Sequence, residues 1–261
     1  MRRIVLLMTA IFRIALQRAL AHRANLLFEL FMALFGTVAA AVTLRVVFEY
    51  TSSLAGWTLG ESMLLLGCYM LMSGIVEAWI QPNLDWFAGK VTSGELDDLL
   101  LQPVSSLFLV SFNTVQPLAL LQSILGACVI AWGLFELGAA ISLAGVLGCL
   151  LLLSAGLMIA WATRFLMACS AFWAPALEPS VLYNALWQLG RYPVSIYHPA
   201  IAGLLTYVVP VACIATFPAM SLARGPDPII LIASCLTAIV FVCLAVWTWQ
   251  RGLAQYRSAT S

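Results

Sequence analysis

The segment PIILIASCLTAIVFVCLAVWTW, residues 228–249, runs for 22 residues without a charged side chain. A helix needs about 20 apolar residues to cross the hydrocarbon core of a bilayer, so this segment is long enough to span one. Four more mostly apolar runs of similar length precede it, at residues 25–47, 59–80, 111–135 and 141–167. Together with one further span before residue 228, they predict an all-α integral membrane protein of about six transmembrane helices.

The composition supports a membrane protein without a soluble domain. Hydrophobic residues make up 63% of the chain and charged residues 9%, whereas soluble domains carry about 45–50% apolar and about 25% charged residues. Six spans with short loops use up the 261 residues. We therefore treat residues 1–261 as a single transmembrane domain surrounded by lipid.

The position of the fifth span is open on hydropathy alone. One interpretation makes residues 199–222 the fifth span, although three prolines interrupt them. The other makes residues 172–197 a kinked span buried in protein, with residues 199–222 as a re-entrant hairpin from the outer side. Broken helices are tolerated at membrane depth where protein surrounds them. Both interpretations keep six spans.

The basic residues predict the orientation. Residues 1–23 form a loosely amphipathic basic helix, which suits an interface beside anionic headgroups. With this helix on the cytosolic side, most Lys and Arg residues, including Lys90 and Arg164, are also cytosolic. The chain is then a multi-pass protein of the cell (inner) membrane with both termini in the cytoplasm.

The longest polar stretch, residues 81–107, predicts a cytosolic loop with a short docking helix. Thr92 and Glu95 have the spacing of a capping box that opens a helix, and Pro103 would close that helix. Leu96, Leu99 and Leu100 then share one face, next to an acidic first turn. An apolar stripe with an acidic start is suited to the groove of another protein.

Polar residues within the predicted spans are candidates for a substrate path. Asn113 and Gln116 lie in the third span, and Glu178 lies next to a proline in the disputed fifth region. Asn113 and Gln116 could equally join helices by hydrogen bonds. We interpret Glu29 and Glu77, near span ends, as carboxylates that reach the interface.

The sequence gives little support to catalysis. The chain has no HExxH, GxSxG or paired-cysteine metal spacing, and the GxxxxGK[ST] pattern is absent because Val91 follows Gly89-Lys90. We expect no metal, no cofactor and no nucleic acid partner. Two alternatives to a permease are an ion-coupled secondary transporter and a small membrane enzyme. The first lacks an evident ion relay, and the second lacks a cluster of polar catalytic groups.

Four segments resemble a known family. SGELDDLLLQPVSSLF (93–108), GRYPVSIYHPAIAGLLTYVVPVACIATFPAMSL (190–222), GLAQYRSATS (252–261) and RANLLFEL (23–30) are similar to segments of the type-two ABC exporter permeases. The resemblance is to the bacterial subfamily with six spans and almost no soluble part. It does not extend to a particular substrate.

The resemblance implies a transporter subunit that works with partners. Such permeases form homodimers or heterodimers and use separate ABC ATPase subunits, which bind ATP and magnesium. The resemblance gives the role of coupling helix to Gly94, Glu95, Leu96, Asp97, Asp98 and Leu99. It also implies alternating access and a re-entrant hairpin in residues 190–222. Because the spans carry few charges, we expect a hydrophobic or amphipathic substrate.

Overall fold

The computed structural model is helical along nearly its whole length. It describes residues 2–21, 23–102, 105–138, 142–175, 177 and 179–259. Helices make up 85% of the protein, and the described residues contain no β-strand. The all-α membrane fold predicted from the sequence is confirmed.

Apart from three short 3₁₀ turns, Leu189–Arg191, Val194–Ile196 and Val211–Cys213, the described part of the chain contains eleven helices. They are α1 (Arg2–Ala21), α2 (Arg23–Tyr50), α3 (Leu59–Thr92), α4 (Asp97–Leu100), α5 (Ser106–Phe112), α6 (Pro117–Leu137), α7 (Leu143–Phe172), α8 (Pro179–Gln188), α9 (Pro199–Val208), α10 (Thr216–Arg224) and α11 (Pro228–Ala259). Within this part of the chain, α2, α3, α6, α7 and α11 are each long and apolar enough to cross a membrane, and α9 is a shorter apolar helix.

The ends of the long helices define two sides of the bundle. The end of α3 at Thr92 lies beside the last turns of α11, where the Tyr256 hydroxyl donates to the Gly94 carbonyl at 2.8 Å. We call this the termini side. The loop of residues 51–58 between α2 and α3 lies on the other side, which we call the loop side.

Helix α3 is longer than the sequence predicts. The predicted span ends at residue 80, but the helix continues to Thr92 after a single π-helical turn, Val76–Ile80. Residues 81–92 are therefore helical and not a loop. Hydropathy misses this extension because its buried residues, Leu84, Phe87 and Val91, occupy only one face of the helix.

Helices α3 and α6 pack with their backbones almost in contact. A Cβ atom added to Gly67 would lie 2.7 Å from the Gly126 carbonyl oxygen, and one added to Gly133 would lie 2.9 Å from the Leu64 nitrogen. The glycines on α3 recur every seven residues, at 60, 67 and 74, and therefore stay on one face through two turns each. Small residues allow close helix approach in membranes, where lipid removes the hydrophobic driving force.

The third span is broken where the sequence predicts a continuous helix over residues 111–135. Helix α5 ends at Phe112, and α6 begins at Pro117. The residue before a proline disfavours helical geometry, and Gln116 has φ −108° and ψ 87°. The break exposes backbone groups that a continuous helix would pair.

Asn83 on α3 satisfies those backbone groups. Its side chain is fully buried. The Oδ1 atom accepts from the backbone nitrogens of Asn113 and Thr114 at 2.7 and 2.8 Å, and Nδ2 donates to the carbonyl oxygens of Trp79 and Thr114 at 2.6 and 2.8 Å. One amide therefore uses both its donors and accepts twice, which holds the break against α3.

The segment after α7 runs from the termini side to the loop side. The Tyr183 hydroxyl lies 2.8 Å from Thr163 Oγ1, near the termini end of α7. One turn later, Trp187 Nε1 donates to Ser73 Oγ at 2.9 Å. Ser195 Oγ then donates to the carbonyl of Ala55 in the loop between α2 and α3, at 3.4 Å.

Residues 199–224 then form a hairpin that enters the bundle from the loop side. Its tip is the 3₁₀ turn Val211–Cys213, where a Cβ atom on Gly156 of α7 would lie 2.7 Å from the Cys213 carbonyl oxygen. Helix α10 returns to the loop side, where Arg224 Nε pairs with Glu61 Oε1 at 2.7 Å. Because Gly156 lies near the middle of α7, the hairpin reaches about half the depth of the bundle.

Replacing Gly67 with alanine should lower the free energy of unfolding by about 1–3 kcal/mol, because the added methyl group forces α3 and α6 apart. Titration of the purified protein with SDS measures this change. Gly36→Ala is the matched control, since nothing lies within 4 Å of a Cβ atom there. Equal stability of the two variants would contradict the close packing.

Replacing Asn83 with alanine should lower the free energy of unfolding by about 2–4 kcal/mol, because two or more buried backbone groups lose their partner. Asn83→Asp keeps the two acceptor bonds and should lose less. The control is Asn113→Ala, since Asn113 is exposed. If Asn83→Ala and Asn113→Ala unfold at the same SDS fraction, the side chain of Asn83 does not hold the break.

Candidate functional site

A cavity of about 1260 Å³ opens among α1, α2, α3, the start of α6, α7 and α8. Ligand pockets commonly measure about 300–1,000 Å³, so the cavity can hold a sizeable small molecule. Three arginines and three carboxylates line it: Arg18, Arg164, Arg191, Glu29, Glu77 and Asp85. Amide side chains add further polar groups: Asn25, Gln81, Gln116, Gln122, Asn184 and Gln188.

The cavity wall is formed partly by the break between α5 and α6. Residues 114–119 line the cavity, and the Gln116 nitrogen donates to the Ala78 carbonyl of the π turn at 2.7 Å. Trp79 Nε1 donates to the Ser111 carbonyl at 3.1 Å, and Trp161 Nε1 donates to Ser111 Oγ at 3.2 Å. These bonds fix the broken helix on α3 and α7 at the edge of the cavity.

The structure separates the three predicted path residues. Gln116 lines the cavity, whereas Asn113 is exposed and does not line it. Glu178 lies outside the described residues. Glu29 and Glu77, interpreted from the sequence as reaching the interface, are both in the cavity wall. A role for any of these residues in transport stays a prediction.

Sequence reasoning missed the role of Arg164, which it used only as a marker of orientation. In the structure Arg164 is 8% exposed and lines the cavity. Its guanidinium carbon lies 4.7 Å from the centre of the Tyr183 ring and 5.4 Å from that of the Trp187 ring. The four-residue spacing of these two aromatic residues on α8 was the available signal, since it places them on one helix face.

A second, smaller cavity of about 480 Å³ lies on the termini side of the first. It is lined by α3, α7, Pro175, Leu177 and the start of α8. Gln81, Asp85 and Arg164 line both cavities. These three side chains therefore stand where the two spaces adjoin.

The segment 92–95 ends a helix, so the predicted capping box is wrong. Ser93 caps the C-terminus of α3, and Gly94 has φ +73°, a left-handed conformation that favours glycine. The Glu95 nitrogen donates to the Lys90 carbonyl at 3.0 Å, which closes the helix end. Glu95 does not cap Thr92 but pairs with the Lys90 ammonium. That pairing lowers the pKa of the Glu95 carboxyl below its ordinary value. Pro103 lies outside the described residues.

The apolar face of α4 is turned towards the protein itself. Leu96 is 0% and Leu99 is 5% exposed, and both belong to the main hydrophobic core. The area of these two leucines is therefore already buried within the chain and is not free for a partner, and the coupling role of residues 94–99 stays a prediction. Gly94, Glu95, Asp97 and Asp98 are exposed, so the free surface of this segment is acidic. The side chain of Leu100 lies outside the described part of the chain.

Comparison with known proteins gives one family. The sequence model of the family described as "ABC-2 family transporter protein" matches residues 34–260, which is most of the chain. No curated protein and no solved structure matches.

Proposed function

The chain belongs to the ABC-2 transporter family, and from this we propose that it is the permease subunit of an ATP-driven exporter for an amphipathic substrate. Membership makes it a membrane permease of an ABC transporter. The export direction, the substrate class and a separate ATPase subunit are our proposal. The observation that carries it is the large polar cavity enclosed by helices whose outer faces are apolar.

The cavity suits a substrate with a polar head. Charged side chains within a membrane protein are costly, and they usually face protein, water or a transport path. Six charged side chains share this cavity with apolar residues such as Met32 and Leu118. A wholly hydrophobic molecule would leave those charges desolvated and unpaired, so an amphipathic substrate is favoured over a purely apolar one.

The acidic surface of α4 is our proposed docking site for the ATPase. We assign docking to the carboxylates of Glu95, Asp97 and Asp98, with the exposed side chain of Leu101 beside them. Leu96 and Leu99 act differently, since they join α4 to the permease core. ATP and magnesium are bound by the ATPase.

Movement of α4 would be transmitted to two long helices. The Lys90–Glu95 ion pair links this segment to α3, and the bond from Tyr256 to Gly94 links it to α11. Helix α3 lines the cavity, and α11 contacts the tip of the hairpin through the bond between Ser234 and Cys213. This arrangement supports alternating access, in which ATP-driven motion of the ATPases opens the cavity on one side and then on the other.

A second permease chain would complete the transporter. The outer face of α2 exposes large apolar side chains, including Phe28, Phe31 and Phe35, and little of this helix is buried. Helices α1 and α2 also border the cavity. We propose a homodimer or heterodimer that closes this border, surrounded by lipid. The two alternatives, an ion-coupled transporter and a membrane enzyme, predict activity without an ATPase.

We also propose that residues 179–197 form the fifth membrane crossing and that residues 199–224 are re-entrant. The contacts of Tyr183, Trp187 and Ser195 follow one another from the termini side to the loop side. Polar residues are tolerated in this crossing because neighbouring helices bury and bond them. The termini side is then cytosolic in the cell (inner) membrane.

Replacing both Asp97 and Asp98 with lysine should weaken binding of the partner ATPase about tenfold, because charge complementarity steers docking. The same variant should lose ATP-dependent movement of a fluorescent zwitterionic amphiphile into inverted vesicles. Co-purification and vesicle uptake measure the two effects. Its melting temperature should stay unchanged, since both side chains are exposed.

The matched control for that variant is Glu49→Lys with Glu136→Lys. It changes the net charge by the same amount at exposed positions on the loop side. Leu99→Asp is a further comparison and should lower the melting temperature, because Leu99 is in the core. Normal ATPase binding by the Asp97/Asp98 variant would rule out docking at α4, and uptake without any ATPase would rule out the ABC exporter.

A cysteine at Ser195 should react with a membrane-impermeant maleimide in intact cells, because Ser195 is exposed on the loop side. The measurement uses a variant in which the seven native cysteines are replaced. Ser93→Cys is the matched control and should react only after permeabilisation. Reaction of Ser195→Cys only after permeabilisation would instead make residues 199–222 the fifth span.

A further inference from the structure

Arg164 is a buried cation that forms no hydrogen bond with the described residues. It is 8% exposed, and its Nε atom is buried without a hydrogen-bond partner. In the described part of the chain, Arg164 forms no ion pair within 4.0 Å. Burial of a charge is costly unless the charge is paired and hydrogen-bonded. The free protein therefore retains an unfavourable site that a suitable ligand would relieve.

The aromatic rings around Arg164 fix its position without using its donors. The guanidinium lies over the faces of Tyr183 and Trp187. Each ring is held by its own hydrogen bond: the Tyr183 hydroxyl bonds with that of Thr163, and Trp187 donates to Ser73. The N–H donors of a guanidinium lie in its own plane, and contact with the ring faces leaves them available to an anionic group in the cavity.

Two carboxylates stand near Arg164 without bonding to it. Glu77 and Asp85, both on α3, line the same cavity as Arg164, and neither forms an ion pair with it within 4.0 Å. Both side chains are exposed to the cavity. A ligand with only a negative group, bound to Arg164, would be repelled by these carboxylates. A ligand with only a positive group, bound to the carboxylates, would be repelled by Arg164. The site therefore discriminates against both ligands.

We propose that Arg164, Glu77 and Asp85 form a binding site for the zwitterionic head of an amphipathic molecule. Arg164 binds the anionic oxygens of a phosphate or carboxylate, and Glu77 and Asp85 bind an amine. The assignment rests on the proposed function in one respect only, namely that this head belongs to the transported substrate. The shared chemistry, an amine joined to an anionic oxygen group, occurs both in membrane lipids and in soluble amphipathic molecules.

The test measures ligand binding to the purified full-length permease in dodecyl maltoside, without the ATPase. Fluorescent lysophosphatidylethanolamine carries both charges, fluorescent lysophosphatidic acid carries only the phosphate, and a fluorescent dodecylamine carries only the amine. Fluorescence anisotropy should show the zwitterionic probe binding about tenfold or more tightly than either singly charged probe. Equal binding of the zwitterionic and phosphate-only probes would overturn the proposal.

Variants test which side chain binds each charge of the zwitterionic head. Arg164→Gln should weaken binding of the zwitterionic probe about tenfold or more, the usual effect of losing a charged hydrogen bond, and Arg164→Lys should restore part of it. The matched control is Arg251→Gln, since Arg251 stacks on Trp247 at 5.4 Å but does not line either cavity. Unchanged binding by Arg164→Gln would overturn the proposal.

Changes at the exposed carboxylates keep the test decisive if Arg164→Gln fails to fold. Glu77→Gln with Asp85→Asn should weaken binding of the zwitterionic probe and strengthen binding of the phosphate-only probe about threefold to tenfold. A purely structural role for these residues would lower both affinities together and would overturn the site. Nanodiscs of phosphatidylethanolamine or of phosphatidylglycerol are then added as competitors of the zwitterionic probe. Displacement by phosphatidylethanolamine alone identifies a membrane lipid as the ligand, and no displacement by either lipid identifies a soluble amphipathic molecule.

The proposed binding site and the proposed exporter function can be contradicted independently in these experiments. Loss of ATPase association or of ATP-dependent uptake removes the proposed exporter but leaves the zwitterion site, which is measured without ATP. Absence of selective binding removes the site but leaves the exporter, which is measured by uptake.

Discussion

The near contact between the backbones of α3 and α6 is the constraint on which the rest of the fold depends. Helices in lipid gain little from burying apolar side chains against one another, so close van der Waals contact must replace the hydrophobic effect. The glycines of α3 and α6 allow that contact along several turns. With α6 fixed in this way, the break before Pro117 always faces the same part of α3. There the Asn83 side chain accepts hydrogen bonds from the backbone of the break.

That constraint also places the polar groups of the protein. The π turn of α3 lies beside the broken helix, so Glu77, Gln116 and their neighbours face the cavity and not lipid. The opposite wall is formed by α7 and α8, where Arg164 meets Tyr183 and Trp187. The polar residues that look unsuitable for a span therefore share one enclosed space, and the apolar residues of α2 and α11 are left for the outer surface.

The two ends of the bundle are tied by different interactions. On the loop side, Arg224 bonds Glu61 and the Gly56 carbonyl and stacks on Trp57, which joins the hairpin to the start of α3. On the termini side, buried leucines and the Tyr256 hydroxyl join α4 to the long helices. In the proposed transporter, these contacts are the routes by which movement of α4 would reach the rest of the bundle.

The sequence by itself determined the class of the protein. Apolar runs of about 20 residues are a direct consequence of bilayer thickness, so the all-α membrane fold could be predicted without any tertiary contact. The family could also be predicted, because short segments such as residues 93–108 are distinctive in themselves. The helical extension at residues 81–92 could not be predicted from hydropathy, because its buried residues alternate with polar ones.

Only the tertiary structure decided the direction in which the important side chains face. The leucines of α4 looked available for a partner, but Leu96 and Leu99 pack into the core of the permease itself. Arg164 looked like a cytosolic charge, but α8 covers it with two aromatic rings. Helical periodicity states which residues share a face, whereas what covers that face depends on segments far away in the chain. For that reason the sequence specified the fold class and the family, and the packing of distant helices specified the cavity and its buried cation.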